Sequence, residues 1–218
     1  MSAALREPKQ ARSVETCNRL LDAAEAIMEE KSFDDATIED IVSRAGLTTG
    51  AFYARFRNKE ALFRHLEDRM TSEFIAIFSE VTAGTGTAVR GGELLRRIIA
   101  VWASEYVRRR PVARALVLRS HTDVPIHRRL QNLNRLNHAR TIRGLTRDNA
   151  IRHPNRAVAV DFAMLAARSV LREAILFREV WPGRPPLSVD ALVRELTRMT
   201  LAYLGIDADS DGEAADGE

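Results

Sequence analysis

Between residues 47 and 60 the chain reads LTTGAFYARFRNKE, and its chemistry lies in side chains that are small or carry a hydroxyl. Thr48 is placed to cap a short helix whose first turn is Thr49, Gly50 and Ala51. A threonine hydroxyl can hydrogen-bond a base edge or a phosphate, and its methyl can pack on a thymine methyl. A glycine lets backbone and nucleic acid approach closely. Tyr53 follows Thr49 by four residues and so shares its helical face, where its hydroxyl is within reach of a phosphate. The competing reading of Tyr53 is a core aromatic. Phe52 and Phe56 already supply the apolar face of this segment, which favours an outward Tyr53.

Charge supports the same chemistry locally. Residues 1–70 carry eleven basic and thirteen acidic side chains, yet Arg44, Arg55, Arg57 and Lys59 fall in a stretch, 44–59, that contains no acid. Attraction to phosphate acts over about 8 Å at physiological salt, so a local cluster outweighs the regional total. Lys59 opens a helix, where a cation opposes the helix dipole; an anion bound by its ammonium and the free N–H groups there removes the conflict. Thr37, at the start of another helix, is a second candidate phosphate clamp, although capping alone also accounts for it. Arg44 and Arg55 divide evenly between DNA contact and surface charge. Arg6, Lys9 and Arg12 could trail into a minor groove.

Helices must position these groups, because no stretch alternates with a strand period. An apolar stripe through Cys17, Leu20, Leu21, Ala24, Ile27 and Met28 predicts a first helix over 13–31, with Cys17 a small core residue. Thr37 and Asp40 form a variant capping box for a second, presenting Ile38, Ile41, Val42 and Ala45 inward and stopping at Gly46, with Leu47 plugging the core. The third helix follows Thr48. Asn58 opens a long fourth to about 81, which Gly84 and Gly86 break. Further helices are expected over 91–110, ending before Pro111, then 112–121, from Pro125 toward 148, from Asn155 to about 180, and from a Ser188 cap onward. Domain boundaries follow: a basic arm at 1–12, a DNA-binding headpiece at 13–60, a ligand-binding and dimerisation domain at 61–205, and an acidic tail at 206–218.

Phe33, Thr37-Ile38, Asp40-Ile41, Ala45-Gly46-Leu47, Gly50, Phe52-Tyr53, Phe56 and Lys59-Glu60-Ala61-Leu62 together resemble the N-terminal signature of the tetracycline-repressor (TetR) family. The resemblance covers roughly residues 13–63; the remainder is similar only in length and helical character. It implies an all-α fold in which a three-helix helix-turn-helix domain precedes a helical domain that binds a small molecule and dimerises. It also assigns Lys59 to a backbone phosphate. Many relatives carry glycine where this chain has Ser32, so the turn after the first helix is expected to differ if it is left-handed.

The resemblance and the residues together give a DNA-binding regulator, most simply a repressor. As a homodimer through the last two helices it would hold a palindromic double-stranded operator, and a small-molecule effector would release it. Trp102 and Tyr106, on one face of the fifth helix, and Phe162 on the eighth are the candidate pocket lining, although core packing is the simpler explanation of each. The alternatives are an activator or effector-independent regulator with the same headpiece, or a helical enzyme or adaptor. Enzymatic chemistry is poorly supported. His65, His121, His127, His138 and His153 are scattered, no metal-ligand spacing occurs, and no nucleophile elbow, P-loop or dinucleotide fingerprint is present. The His121-Thr122-Asp123 stretch with His127 reads better as a polar loop than as a metal site. No cofactor is implied. One cysteine, no apolar run of about 20 residues and a polar start without an apolar h-region are the composition of a cytoplasmic protein without a membrane span. Thirteen arginines in 106–156 face only Asp123 and Asp148, and an anionic effector is one explanation. An exposed basic face in an arginine-biased chain, with thirty arginines to three lysines, is the simpler one.

Overall fold

The computed structural model describes residues 7–83, 91–145, 151–178 and 185–206, and it is all-α. The helices are α1 (Glu7–Met28), α2 (Ile38–Ala45), α3 (Thr49–Tyr53), α4 (Lys59–Ala83), α5 (Gly91–Arg108), α6 (Arg110–Ser120), α7 (Val124–Leu145), α8 (Arg156–Arg172) and α9 (Val189–Leu204), with a π-helical turn at Glu173–Phe177. They form two compact units, Met1–Thr71 with Pro111–Leu118, and Ser72–Arg110 with Arg119–Glu218. The division thus falls eleven residues beyond the boundary expected at 60 and assigns 111–118 to the first unit. Residues 1–6 of the expected arm, the glycines at 84 and 86, and the acidic tail from 207 lie outside the described residues.

In the first unit, α1 packs on α2 and α2 on α3. Leu20, Ala24, Ile27, Phe33, Ile41, Phe52, Phe56, Leu62, Phe63 and Leu66 are buried together as its apolar core. Phe33, in the α1–α2 connection, stacks against Phe63 of α4 with ring centres 4.8 Å apart. Arg69 of α4 reaches Asp22 and Glu25 of α1 at 2.7 and 2.8 Å, so an ion-paired arginine fixes the same two helices at their outer edge. Cys17 is half-buried, and burial pushes its thiol pKa up.

Three local expectations change. The first helix begins at Glu7, so residues 7–12 are helical rather than an arm; Pro8 is tolerated because the first turn has no N–H partner to lose. Ser32 is not left-handed, since Arg178 is the one non-glycine residue with positive φ among those described. Its hydroxyl accepts from the Asp35 backbone N–H at 3.2 Å and closes the turn as a side-chain motif. Leu47 is half-buried rather than a core plug.

In the second unit, α5 packs against α9, α8, α7 and the π-turn, and α8 packs against α9. Leu94, Leu95, Ile98, Ile99, Ala159, Val160, Ala163, Leu171 and Leu204 are among its buried apolar residues. Pro111 lies inside the first turn of α6, so the break after α5 falls at Arg109. Asp123 caps α7 by accepting from the Ile126 N–H at 3.0 Å, and His127 pairs with Gln131 at 2.8 Å. Local helix chemistry therefore occupies the His121–His127 stretch. Among the described residues no group of three or more His, Cys, Asp or Glu side chains could hold a metal ion, and no helix is long and apolar enough to cross a membrane.

Candidate nucleic-acid interface

The turn joining α2 to α3 is built by residues whose local chemistry permits nothing else so well. Thr37 and Asp40 complete the expected capping box: the Asp40 N–H donates to the Thr37 hydroxyl at 3.1 Å, and the Thr37 N–H donates to the Asp40 carboxylate at 2.8 Å. The Lys31 ammonium donates to the same carboxylate at 2.6 Å. That bond, followed by those from Thr37, holds the Asp40 pKa down at about 2. At the other end, Gly46 adopts φ 61°, the left-handed conformation that closes α2. Arg19 of α1 reaches across and donates to the Ala45 and Gly46 carbonyls at 2.6 and 3.2 Å, satisfying acceptors that the helix end leaves open. Arg19 had no sequence signal, because its partners are 26 and 27 residues away.

α3 starts where its cap places it, with the Ala51 N–H donating to the Thr48 hydroxyl at 3.2 Å. Phe52 is fully buried and Phe56 almost so. Their anchoring turns the opposite edge outward: Thr48, Thr49 and Gly50 are exposed, Ala51 is half-buried, and Tyr53 is 56% exposed. The Tyr53 ring meets Phe52 edge-on with centres 5.5 Å apart, while its hydroxyl has no partner among the described residues. A Cβ built on Gly50 would meet only the Thr48 hydroxyl, at 3.8 Å, and its φ is an ordinary one. Nothing among the described residues demands a glycine there.

The cations are less free than their clustering implies. Lys59, expected at a phosphate, donates to the carbonyls of Phe33, Asp34 and Ala36 at 2.9, 2.7 and 2.8 Å and lies over the Phe33 ring. All three ammonium hydrogens are thereby used, and the start of α4 is tied to the α1–α2 connection. Arg44 pairs with Glu30, and Arg55 donates to the backbone carbonyls of Ser13 and Ala54 at 3.4 and 3.3 Å. Arg57 is exposed and makes no hydrogen bond or ion pair among the described residues. Thr37 is exposed, with its hydroxyl accepting within the capping box and still able to donate.

The candidate pocket residues separate. Trp102 is buried and Tyr106 half-buried on α5, but Phe162 is 57% exposed and stacks on Tyr203 of α9 with centres 5.4 Å apart. Phe162 lines an outer surface, not an interior one. The helical stripe was legible, but which face α8 turned inward depended on its small residues, Ala159, Ala163 and Ala167, which pack at the core.

Two short helices meeting at a left-handed glycine, the second anchored by aromatics and bare on its outer edge, define a helix-turn-helix protein. Residues 20–66 match the family model described as bacterial regulatory proteins, tetR family. Over 64 residues it is 39% identical to the A-factor receptor protein of Streptomyces griseus, a match covering 29% of this chain and 23% of that protein. Over 57 residues it is 40% identical to the uncharacterized HTH-type transcriptional regulator YdgC of Bacillus subtilis, covering 26% of this chain and 29% of that protein. The chain therefore matches less than a third of the length of either relative. Solved structures share the fold across far more of the chain. The transcriptional regulator FadR of Bacillus subtilis, in complex with stearoyl-CoA, superposes with a TM-score of 0.66 at 15% identity, covering 85% of this chain and 97% of that one. The MbdR regulator of Azoarcus sp. CIB gives 0.66 at 21% identity, covering 88% and 99%.

Proposed function

We propose that the protein is a transcription regulator that binds a palindromic operator as a homodimer and represses until a small-molecule effector releases it. The observation that carries the DNA-binding reading is the outer edge of α3, where the Thr49 side chain, the bare Cα of Gly50 and the Tyr53 hydroxyl are exposed and the two hydroxyls make no hydrogen bond among the described residues. Thr49 is the base-reading residue, Gly50 admits the duplex, and Tyr53, Thr37 and Arg57 contact phosphates. Lys59 acts one step back, holding the start of α4 where the α1–α2 connection needs it. Arg44 and Arg55 contribute field rather than contacts.

Dimerisation through the last two helices is supported by an apolar surface of the second unit. Val158, Phe162 and Leu165 on α8 and Met199 and Tyr203 on α9 are exposed large hydrophobic residues on two helices that pack together. Two copies joined there would form a four-helix bundle and present two copies of α3 to half-sites one or more helical turns apart. An effector bound in the second unit would act by preferring the conformer that fits the operator less well, so operator binding must weaken effector binding to the same degree.

The test is a salt titration of binding to the duplex upstream of the protein's own gene, beside a scrambled duplex of equal length. Specific binding predicts a steep loss of affinity with salt while the preference for the upstream duplex persists. Thr49→Ala should reduce that preference more than it reduces binding to the scrambled duplex. Equal affinity for the two duplexes would refute operator recognition.

A further inference from the structure

The outer edge of α3 is only as well aimed as the turn before it, and a residue outside both helices holds that turn. Gly46 and Leu47 close α2 by donating their N–H groups to the Ser43 and Val42 carbonyls, at 3.0 and 2.8 Å. The apolar contact that commonly locks such a turn is incomplete, since Leu47 is only half-buried. The carbonyls of Ala45 and Gly46 accept from no turn or cap N–H among the described residues. They accept from a single nitrogen of Arg19 on α1, at 2.6 and 3.2 Å. A helix C-terminus attracts cations, and Arg44, the basic residue in the last turn of α2, is drawn away to Glu30. The fit is close. A Cβ on Gly46 would stand 3.2 Å from that same Arg19 nitrogen.

α1 is a fixed platform for this contact. Arg69 of α4 pairs with Asp22 and Glu25, about one and two turns beyond Arg19 along α1. α1 also meets the chain just past α3, where the Arg55 side chain donates to the Ser13 carbonyl at 3.4 Å. α3 is therefore bracketed by α1, with Arg19 at its entry and Ser13 at its exit. Those two positions lie six residues apart on α1, about 9 Å of helix, close to the length of about 7.5 Å for the five-residue α3. The ion pairs of Lys31 with Asp40 and of Glu30 with Arg44 also reach α2, but neither engages the carbonyls of the turn.

We propose that Arg19 is a positioning residue for operator reading: by tying the Ala45 and Gly46 carbonyls to α1, it sets the direction in which α3 presents Thr49 and Gly50 to a duplex. Arg19 touches no nucleotide in this role and acts through the turn alone. The role rests on the DNA-binding reading and deepens it, since it names what aims the reading edge. A base contact from Thr49 is a directional hydrogen bond, which weakens steeply when bent. Attraction to phosphate is long-ranged and tolerates a tilt. Releasing the turn therefore removes sequence preference before it removes affinity for DNA in general. Arg19 is an exposed residue, and hydrogen bonds that water can replace contribute modestly to stability, so its loss falls on aim more than on folding.

The test uses the full chain and reads the ratio of its affinities for the upstream and scrambled duplexes. Both affinities scale with the folded fraction, so a purely structural role leaves the ratio where it was. Arg19→Met should lower the ratio at least about fivefold, the scale of one misread base pair. Arg19→Lys should stay nearer the parent, because one nitrogen makes both bonds and an ammonium can do the same. Lys31→Met, which breaks an ion pair at the opposite end of α2, should leave the ratio unchanged. Without DNA, hydrogen exchange at the Leu47 N–H should be faster in Arg19→Met than in the parent. The positioning role is overturned by a smaller fall in the ratio, by Arg19→Lys falling with Arg19→Met, by Lys31→Met falling as far, or by unchanged exchange at Leu47. A salt slope on the scrambled duplex lowered by about 1 in Arg19→Met also overturns it, since that marks a direct phosphate contact. A parent that prefers neither duplex removes the operator reading itself. A parent with a preference that Arg19→Met retains removes the role of Arg19 alone.

Discussion

The ammonium of Lys59 stands 5.2 Å from the centre of the Phe33 ring while donating to three consecutive-turn carbonyls at 33, 34 and 36. A lysine with every hydrogen used inside its own domain is a clamp, and Lys59→Met should cost the first unit about 2 kcal/mol, the scale of losing hydrogen bonds to a charged donor. Arginine should not restore it, since a planar fork cannot converge on three carbonyls as an ammonium does. Urea unfolding checks the stability. If Lys59 instead held a phosphate, the salt slope of DNA binding by the folded variant would fall by about 1; the clamp predicts no change.

Tyr53 presents the opposite case. Its hydroxyl has no partner among the described residues and its ring leans on Phe52. Tyr53→Phe should therefore leave thermal stability unchanged within about 0.5 kcal/mol. It should weaken binding to upstream and scrambled duplexes alike, since a phosphate contact carries no sequence information. Melting curves and fluorescence anisotropy on one preparation separate the two effects.

Asp40 makes a pH prediction. Its pKa is held at about 2 against an ordinary 3.8, first by the hydrogen bond from Lys31 and then by those from Thr37. A carboxyl lowered on folding stabilises the fold above its unfolded pKa and loses that contribution as pH falls through the folded one. Asp40→Asn should thus unfold more readily than the parent at neutral pH, and the gap should close between pH 3.8 and about 2. A gap that persists unchanged to pH 2 would remove the carboxylate from the account of this cap.

Phe162 tests the dimer. It is 57% exposed and stacks on Tyr203, which places it in the apolar surface of α8 and α9. Phe162→Asp should yield monomers by sedimentation velocity without loss of helicity, because the side chain contributes little to the core of its own chain. A parent that sediments as a monomer at micromolar concentration would end the dimer reading directly.

The contrast between Thr37 and Lys59 shows what a single sequence discloses. Thr37 with Asp40, and Gly46 beyond them, were legible because their partners lie within four residues and the chemistry of a helix end is local. Phe52, Phe56, Leu62 and Leu66 were legible as core because period and apolarity agree. Lys59 was not, since its acceptors are 23 to 26 residues upstream and only packing brings them together. Arg19 carries no local signal for the same reason, its acceptors lying 26 and 27 residues downstream. Phe162 was misplaced because an apolar stripe tells that a helix face wants cover but not what covers it. The π-turn after Arg172 had no signature at all: Glu173 to Phe177 are ordinary helix formers, and the widened turn arises where Arg110 takes up its carbonyls.

Gly50 offers the most direct measurement of the central claim, that the outer edge of α3 lies along a duplex. Gly50 is exposed and a Cβ there meets only the Thr48 hydroxyl, at an ordinary 3.8 Å, so Gly50→Leu should melt at or above the parent, helped by a helix propensity gain of up to about 1 kcal/mol. Held against DNA, the same side chain has nowhere to go. The account predicts that Gly50→Leu, fully folded, loses at least about tenfold in affinity for the upstream duplex by anisotropy, a penalty of about 1.4 kcal/mol. A folded Gly50→Leu protein that binds that duplex with the parent's affinity and salt slope would contradict it.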